Sequence, residues 1–184
     1  MSRPLRADAQ RNRARVLEVA AETFAAEGLS VPVHEIARRA GVGTGTVSRH
    51  FPTKESLFQA ILLEGMEQLV RRAHELAGGE PPEEAFFAFF GLMVEAGAAN
   101  RGLVDALAGA GFDFEGVAAD SRYDVMGAWR VLLEAAQGAG AIRRDADLAD
   151  VKALLNACVA RERPHPDPVA RARMLTIVRE GLRP

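Results

Sequence analysis

The sequence predicts an all-α fold of about nine helices, and three observations carry that expectation. Apolar residues recur three and four positions apart along almost the whole chain. No segment alternates apolar and polar residues as a half-buried strand does. Clusters of Gly, Pro, Asn and Asp interrupt the pattern at helical intervals. With 184 residues, 48% hydrophobic and 26% charged, the chain suits one large domain or two small ones sharing an interface.

In the first helix Val16, Leu17, Ala20, Ala21 and Phe24 share a face. Asp8 is expected to cap its start and Gly28 to end it in a left-handed conformation. A short second helix, with Pro32 in its first turn, turns Ile36, Ala37 and Ala40 inward. Gly41 interrupts it, and a short third helix carries Val47 and ends near Phe51. Thr53 is the expected N-cap of a long amphipathic helix through Leu57, Phe58, Ile61, Leu62, Met66, Leu69 and Val70. Gly78-Gly79 and Pro81-Pro82 mark its end. Further helices are expected near 82–98, 101–111, 116–138, 146–161 and 167–182. Asp145 or Asp147 can cap the fourth of these, and Pro168 suits the first turn of the last.

Formal net charge is -2, but it is unevenly spread: +3 over residues 1–55 and -5 over the remainder. A basic end on an acidic body suits a polyanion partner for that end alone. The single cysteine, Cys158, allows no intrachain disulfide, and no Cys/His cluster has zinc-ligand spacing, so neither metal nor cofactor is expected. The N-terminus lacks the apolar core of a signal peptide, and the run "AFFAFFGLMV" is too short to span a bilayer. A soluble, cytoplasmic protein without a membrane partner is expected. Catalysis finds no support either. His34-Glu35 opens a zinc-protease pattern, but Arg38 stands where its second histidine is required. No Gly-x-Ser-x-Gly elbow occurs, and Cys158 lies in an apolar stripe, so no catalytic residues are expected.

The stretch "GVGTGTVSRHFPTKE" over 41–55 decides the functional reading. A dinucleotide fingerprint fails because Thr46 occupies the sixth position and a helical pattern, not a strand, precedes it. A P-loop fails because Lys54 lies far from any closing position. Two short helices at a steep angle need a tight glycine turn, which Gly41 supplies, with small Ala37 before it. Ile36, Ala40, Val42 and Val47 then form a shared seam, leaving Thr44, Gly45, Thr46, Ser48, Arg49 and His50 outward. A DNA-reading helix-turn-helix and an ordinary helical hairpin with a glycine turn both fit this spacing.

The run over residues 13–63 resembles the DNA-binding domain of TetR-type bacterial transcriptional regulators. "AAETFAAEG", "IARRAGV", "GT" and "HFPTKE" occur in the family's order. The resemblance implies an N-terminal helix-turn-helix DNA-binding domain over 1–52 and a helical ligand-binding and dimerisation domain over 53–184. It also implies a homodimeric repressor, released from an inverted-repeat, double-stranded DNA operator by a small apolar or amphipathic effector. Gly43, Thr44 and Gly45 would open the recognition helix close to DNA. Thr46, Ser48, His50 and Lys54 would face phosphates, and Arg49 would meet a base edge or another phosphate. Two positions depart from the family pattern. Ser48 replaces a common aromatic, keeping a hydroxyl without the ring's reach; Val33 replaces a threonine and can neither cap nor donate. Arg3, Arg6, Arg11, Arg13 and Arg15 form an arm that either reaches DNA or is a solvated tail.

For the second domain the expected effector walls are Met66, Phe86, Phe90, Met93, Phe112, Tyr123, Met126, Trp129 and Arg130. Taken individually, each aromatic better fits an ordinary core position; collectively, with a few polar tips, they fit a ligand site. Leu148, Val151, Leu155 and Val159, with Met174, Ile177 and Val178, form two apolar stripes on the last helices. Under the resemblance these make an isologous dimer face; periodicity alone also allows them to complete the protomer core.

Overall fold

A computed structural model describes residues 3–99, 109, 111, 116–117, 122–162 and 167–184. Among them lie eight helices: α1 (Arg3–Glu27), α2 (Val33–Ala40), α3 (Thr44–His50), α4 (Lys54–Gly79), α5 (Pro82–Ala99), α6 (Val125–Gly138), α7 (Leu148–Arg161) and α8 (Pro168–Gly181). No strand occurs among the described residues. The expected helix over 101–111 lies outside them except at residues 109 and 111. The chain divides into two compact units, one containing the residues up to Gly65 and the other containing 66–99 and 122–184.

The first unit has its own core. Val16, Leu17, Ala20 and Phe24 of α1 pack with Ile36 and Ala37 of α2, Val47 of α3, and Leu57, Phe58 and Ile61 of α4. Phe24 meets Phe58 edge to face at 4.8 Å between centroids. Helix α1 starts at Arg3, so Asp8 is not its cap; Asp8 sits inside the helix and accepts from Arg11, three residues on. Gly28 does end α1, with φ 81° and its N–H on the Phe24 carbonyl at 3.0 Å. Thr53 caps α4 reciprocally with Ser56: the Ser56 N–H donates to Thr53 Oγ1 at 3.1 Å, and the Thr53 N–H donates to Ser56 Oγ at 3.2 Å.

In the second unit α5 packs against α6, α7 and α8. Phe86, Phe87, Phe89 and Phe90 are all buried, which turns more than one side of α5 into core. Helix α6 begins only at Val125, not at 116 as the periodicity suggests. Tyr123 and Asp124 are non-helical, and the Asp124 carboxylate accepts the Gly127 N–H at 2.7 Å, fixing the start. Asp147 caps α7 in a reciprocal box with Asp150, and Asp167 caps α8 ahead of Pro168. Arg171 of α8 donates to Glu162 at 2.7 Å and Glu95 at 3.0 Å. Arg179 donates to Glu84 at 3.0 Å and lies 4.4 Å from the Phe87 ring centroid. No described helix is long and apolar enough to cross a membrane.

At Gly97 the α5 backbone runs so close to α7 that a Cβ would sit 2.7 Å from Val159 Cγ2. Val159 is buried and β-branched, so it has little freedom to yield. Gly97→Ala gains about 0.5–1 kcal/mol of helix preference but overpacks a core contact, which costs about 1–3 kcal/mol, so net destabilisation is expected. Denaturant unfolding of the single and double variants checks this: Gly97→Ala with Val159→Ala should lose less stability than the two losses added.

Candidate functional site

The α2–α3 turn starts from one left-handed residue. Gly41 has φ 71° and ends α2, its N–H directed to the Ala37 and Arg38 carbonyls. The Val42 N–H returns to the Ala37 carbonyl at 3.0 Å, so the last α2 carbonyls are satisfied as the chain reverses. A Cβ at Gly41 would meet nothing within 4 Å; the conformation, not the space, selects glycine. Gly43 is different: it is extended, and its carbonyl accepts the Thr46 and Val47 N–H groups that begin α3. Neither Gly43 nor Gly45 has a positive φ, and what they contribute is an exposed backbone without a side chain over it.

Helix α3 buries one residue, Val47, which is completely inaccessible among Ile36, Ala37 and Phe51. Thr44, Gly45, Ser48, Arg49 and His50 are exposed and Thr46 is half-buried, so the residues expected outward are brought onto the free side of one short helix. Sorting the unit's arginines by partner isolates Arg49. Arg11 pairs with Asp8, and Arg15 pairs with Glu18 at 3.0 Å. Arg13 reaches Glu64 at 3.3 Å and lies 5.8 Å from the Phe51 centroid. Arg38 holds Glu35 through two bonds of 2.8 and 2.7 Å, and Arg39 bridges Glu35 and Glu27. Arg49, by contrast, makes no ion pair with any described residue. The N-terminal arm is helical from Arg3 onward, so Arg11, Arg13 and Arg15 belong to a formed helix.

Lys54 is placed less freely than the sequence suggests. Its ammonium donates to the Leu29 carbonyl and lies 5.6 Å from the Phe24 centroid, so it also ties α4 to the end of α1. Sequence reading missed this link because its acceptor is a backbone carbonyl 25 residues away.

In the second unit Phe86, Phe90 and Trp129 are wholly buried in one cluster, with Met66, Met93 and Met126 half-buried against it. Trp129 meets Phe89 and Phe90 at centroid distances of 6.2 and 5.9 Å. Its Nε1–H is buried and has no hydrogen-bond acceptor among the described residues. An unpaired buried donor costs about 1–3 kcal/mol, so the indole N–H is a standing expense in this core. Tyr123 is half-buried; its hydroxyl donates to Glu67 and accepts from Arg122 at 2.6 Å. Arg130 is exposed and lines a surface groove of about 430 Å³ with Arg144, Gln137 and Asp147. Phe112 lies outside the described residues.

The stripes expected at a dimer face go mostly elsewhere. Val151, Leu155, Val159 and Val178 are buried in the protomer's own core. Leu148 and Met174 are half-buried against that core, and Ile177 alone of the seven is exposed, at 57%. The outer sides of α7 and α8 instead present Ala153, Ala157 and Ala160, and Val169, Ala172 and Ile177.

Family-level comparison agrees with this arrangement. Residues 16–61 match the model of bacterial regulatory proteins of the tetR family, and residues 81–184 match the C-terminal domain of SbtR-like transcriptional regulators. A solved TetR transcription regulatory protein from Mycobacterium vanbaalenii is 49% identical, with a TM-score of 0.82 over 98% of this chain and 100% of that one. The TetR transcriptional regulator SCO0520 from Streptomyces coelicolor is 35% identical, with a TM-score of 0.79 over 94% and 98%. The HTH-type transcriptional regulator SrpR of Pseudomonas putida is 41% identical over 63 residues, which is 34% of this chain and 30% of that protein. The chain thus spans under a third of that curated relative.

Glu35 supplies a pH signature of the α1–α2 junction. The Arg38 guanidinium, and then that of Arg39, hold its carboxyl down at about 2, below the ordinary glutamate value of 4.5. The folded state therefore favours the carboxylate: its contribution is complete above pH 4.5 and disappears as pH falls towards 2. Thermal unfolding followed across this window should show the wild type losing stability more steeply than Glu35→Gln, with the difference shrinking in high salt.

Proposed function

The chain belongs to the TetR family of bacterial transcriptional regulators, and from that premise we propose a cytoplasmic homodimeric repressor that a small apolar or amphipathic effector releases from an inverted-repeat operator. One observation carries the DNA reading: α3 fixes itself through Val47 alone and leaves an unpaired Arg49 among exposed small polar residues. In this reading Gly43, Thr44 and Gly45 let the α3 backbone approach the duplex. Thr46, Ser48 and His50 meet phosphates, and Arg49 meets a base edge. Lys54 keeps a share of this work, because an ammonium carries three donors and Leu29 takes one.

The effector acts, in this reading, on the aromatic cluster of α5 and α6, with Met66, Met93 and Met126 as its adaptable wall. An effector that favours the protomer spacing unsuited to DNA shifts the dimer away from its operator. The proposed dimer face is the outward side of α7 and α8, centred on Ile177 and Val169. Small alanines around them permit close helix approach, and exposed β-branched residues on such a face otherwise remain in water.

Selection of bound sequences from a random duplex pool is the primary test, with enrichment of an inverted repeat expected. Failure to enrich any repeat at moderate salt defeats the reading. On the selected site Arg49→Ala should relax preference at one base position per half-site, worth about 1–3 kcal/mol. Lys54→Ala should weaken all sequences alike and lower the salt slope by about one. Sedimentation analysis of Ile177→Glu should show protomers at concentrations where the unmodified protein is dimeric; an unchanged dimer places the interface elsewhere.

A further inference from the structure

We infer that Trp129 is the polar anchor of the effector site, and that the effector presents to it an uncharged hydrogen-bond acceptor, a ketone or ester carbonyl oxygen, on an apolar body. This rests on the effector reading above and specifies its chemistry. Trp129 is wholly buried on α6, edge-on to Phe89 and Phe90, and its Nε1–H has no acceptor among the described residues. An indole N–H can only donate, so whatever satisfies it is an acceptor. Native cores leave such donors unpaired rarely, and a ligand atom is one way to complete them.

The neighbouring polar groups narrow the class further. Tyr123 is engaged with Glu67 and Arg122, and Arg130 is exposed. Arg171, the buried-side arginine of this unit, already faces two carboxylates, Glu162 and Glu95. The described cluster that contains Trp129 is otherwise made of apolar side chains and the Cys158 thiol. A carboxylate brought there would lose its water and meet, in Arg171, a cation that two acids already hold although its Nε is unpaired, whereas a carbonyl loses little and gains the indole bond. Half-buried methionines against the same cluster, Met66, Met93 and Met126 among them, supply side chains that repack around a variable apolar body.

The chain has one tryptophan, so its ¹⁵N-labelled form gives a single indole N–H resonance. The full-length protein on its selected operator is titrated with 2-octanone, octane and octanoate. 2-Octanone should move the indole resonance downfield and bind about five- to tenfold more tightly than octane, with octanoate no better than octane. Trp129→Phe keeps a ring and removes the donor, and should reduce the ketone preference to none. Equal movement of the resonance by octane, tightest binding by octanoate, or a resonance that no probe moves overturns the inference. So does a ketone preference that survives in a folded Trp129→Phe; if that variant does not fold, the wild-type resonance decides alone. A ketone that moves the resonance but leaves the operator occupied preserves the anchor and defeats the effector reading. Release by octane or octanoate with the resonance unmoved does the reverse.

Discussion

A helix of seven residues cannot hold its own shape in water, because the cost of its first turn is never recovered over so short a length. Helix α3 exists because Val47 is taken into a core made by α1, α2 and α4. That core receives Val47 at one angle because Gly41 adopts the left-handed region and returns the α2 carbonyls to the N–H groups that follow. A single buried contact is the least a helix can be held by, and it leaves almost all the remaining surface for a partner. The exposed row from Thr44 to His50 follows from that constraint. Lys54 and Phe24 lie at the same junction, so the platform behind α3 is braced where α1 ends and α4 begins.

The second unit solves a different problem. Helix α5 carries phenylalanines on several sides, so it must be enclosed, and α6, α7 and α8 enclose it. Gly97 removes a side chain where α7 comes closest, and Arg179 covers the Phe87 ring while pairing with Glu84. Enclosing α5 uses the inward stripes of α7 and α8, Val151, Leu155, Val159 and Val178 among them. What remains outside includes several alanines and two exposed large hydrophobics, Val169 and Ile177, among polar residues such as Lys152, Asn156 and Thr176. A closely approaching copy needs such a surface more than it needs bulk.

Most of the first unit was legible because each signal had one meaning. Gly28 and Gly41 each stand where a helix must end, Thr53 precedes an apolar pattern, and one-faced spacing fixes which residues turn inward. Asp8 was ambiguous: a carboxylate three residues before an arginine serves a helix interior as well as a helix start. The α6 boundary was hidden because apolar spacing runs on through residues that Asp124 then excludes from the helix. Val151 and Ile177 look alike in sequence, and only the position of α5 decides which is core and which is surface. The unpaired indole N–H of Trp129 had no sequence signal at all, since an aromatic at core spacing reads the same with or without an acceptor.

Charge counting shows how far the sequence carries the site and where it stops. A surplus of +3 over residues 1–55 suggests a broadly basic end, yet most arginines there are engaged by carboxylates within the unit. The +3 already subtracts these carboxylates, Glu64 apart, so pairing fixes where the surplus sits: on the cations no described acid holds, Arg49 and Lys54 among them. Arg49 is three residues from Thr46 and four from Gly45, so no acid occupies the helical positions before it that would capture its guanidinium. Its neighbour Ser48 is short, and a serine hydroxyl reaches only what the backbone already approaches. Sequence discrimination on α3 therefore concentrates in one long side chain, with the small residues around it setting how close that side chain starts.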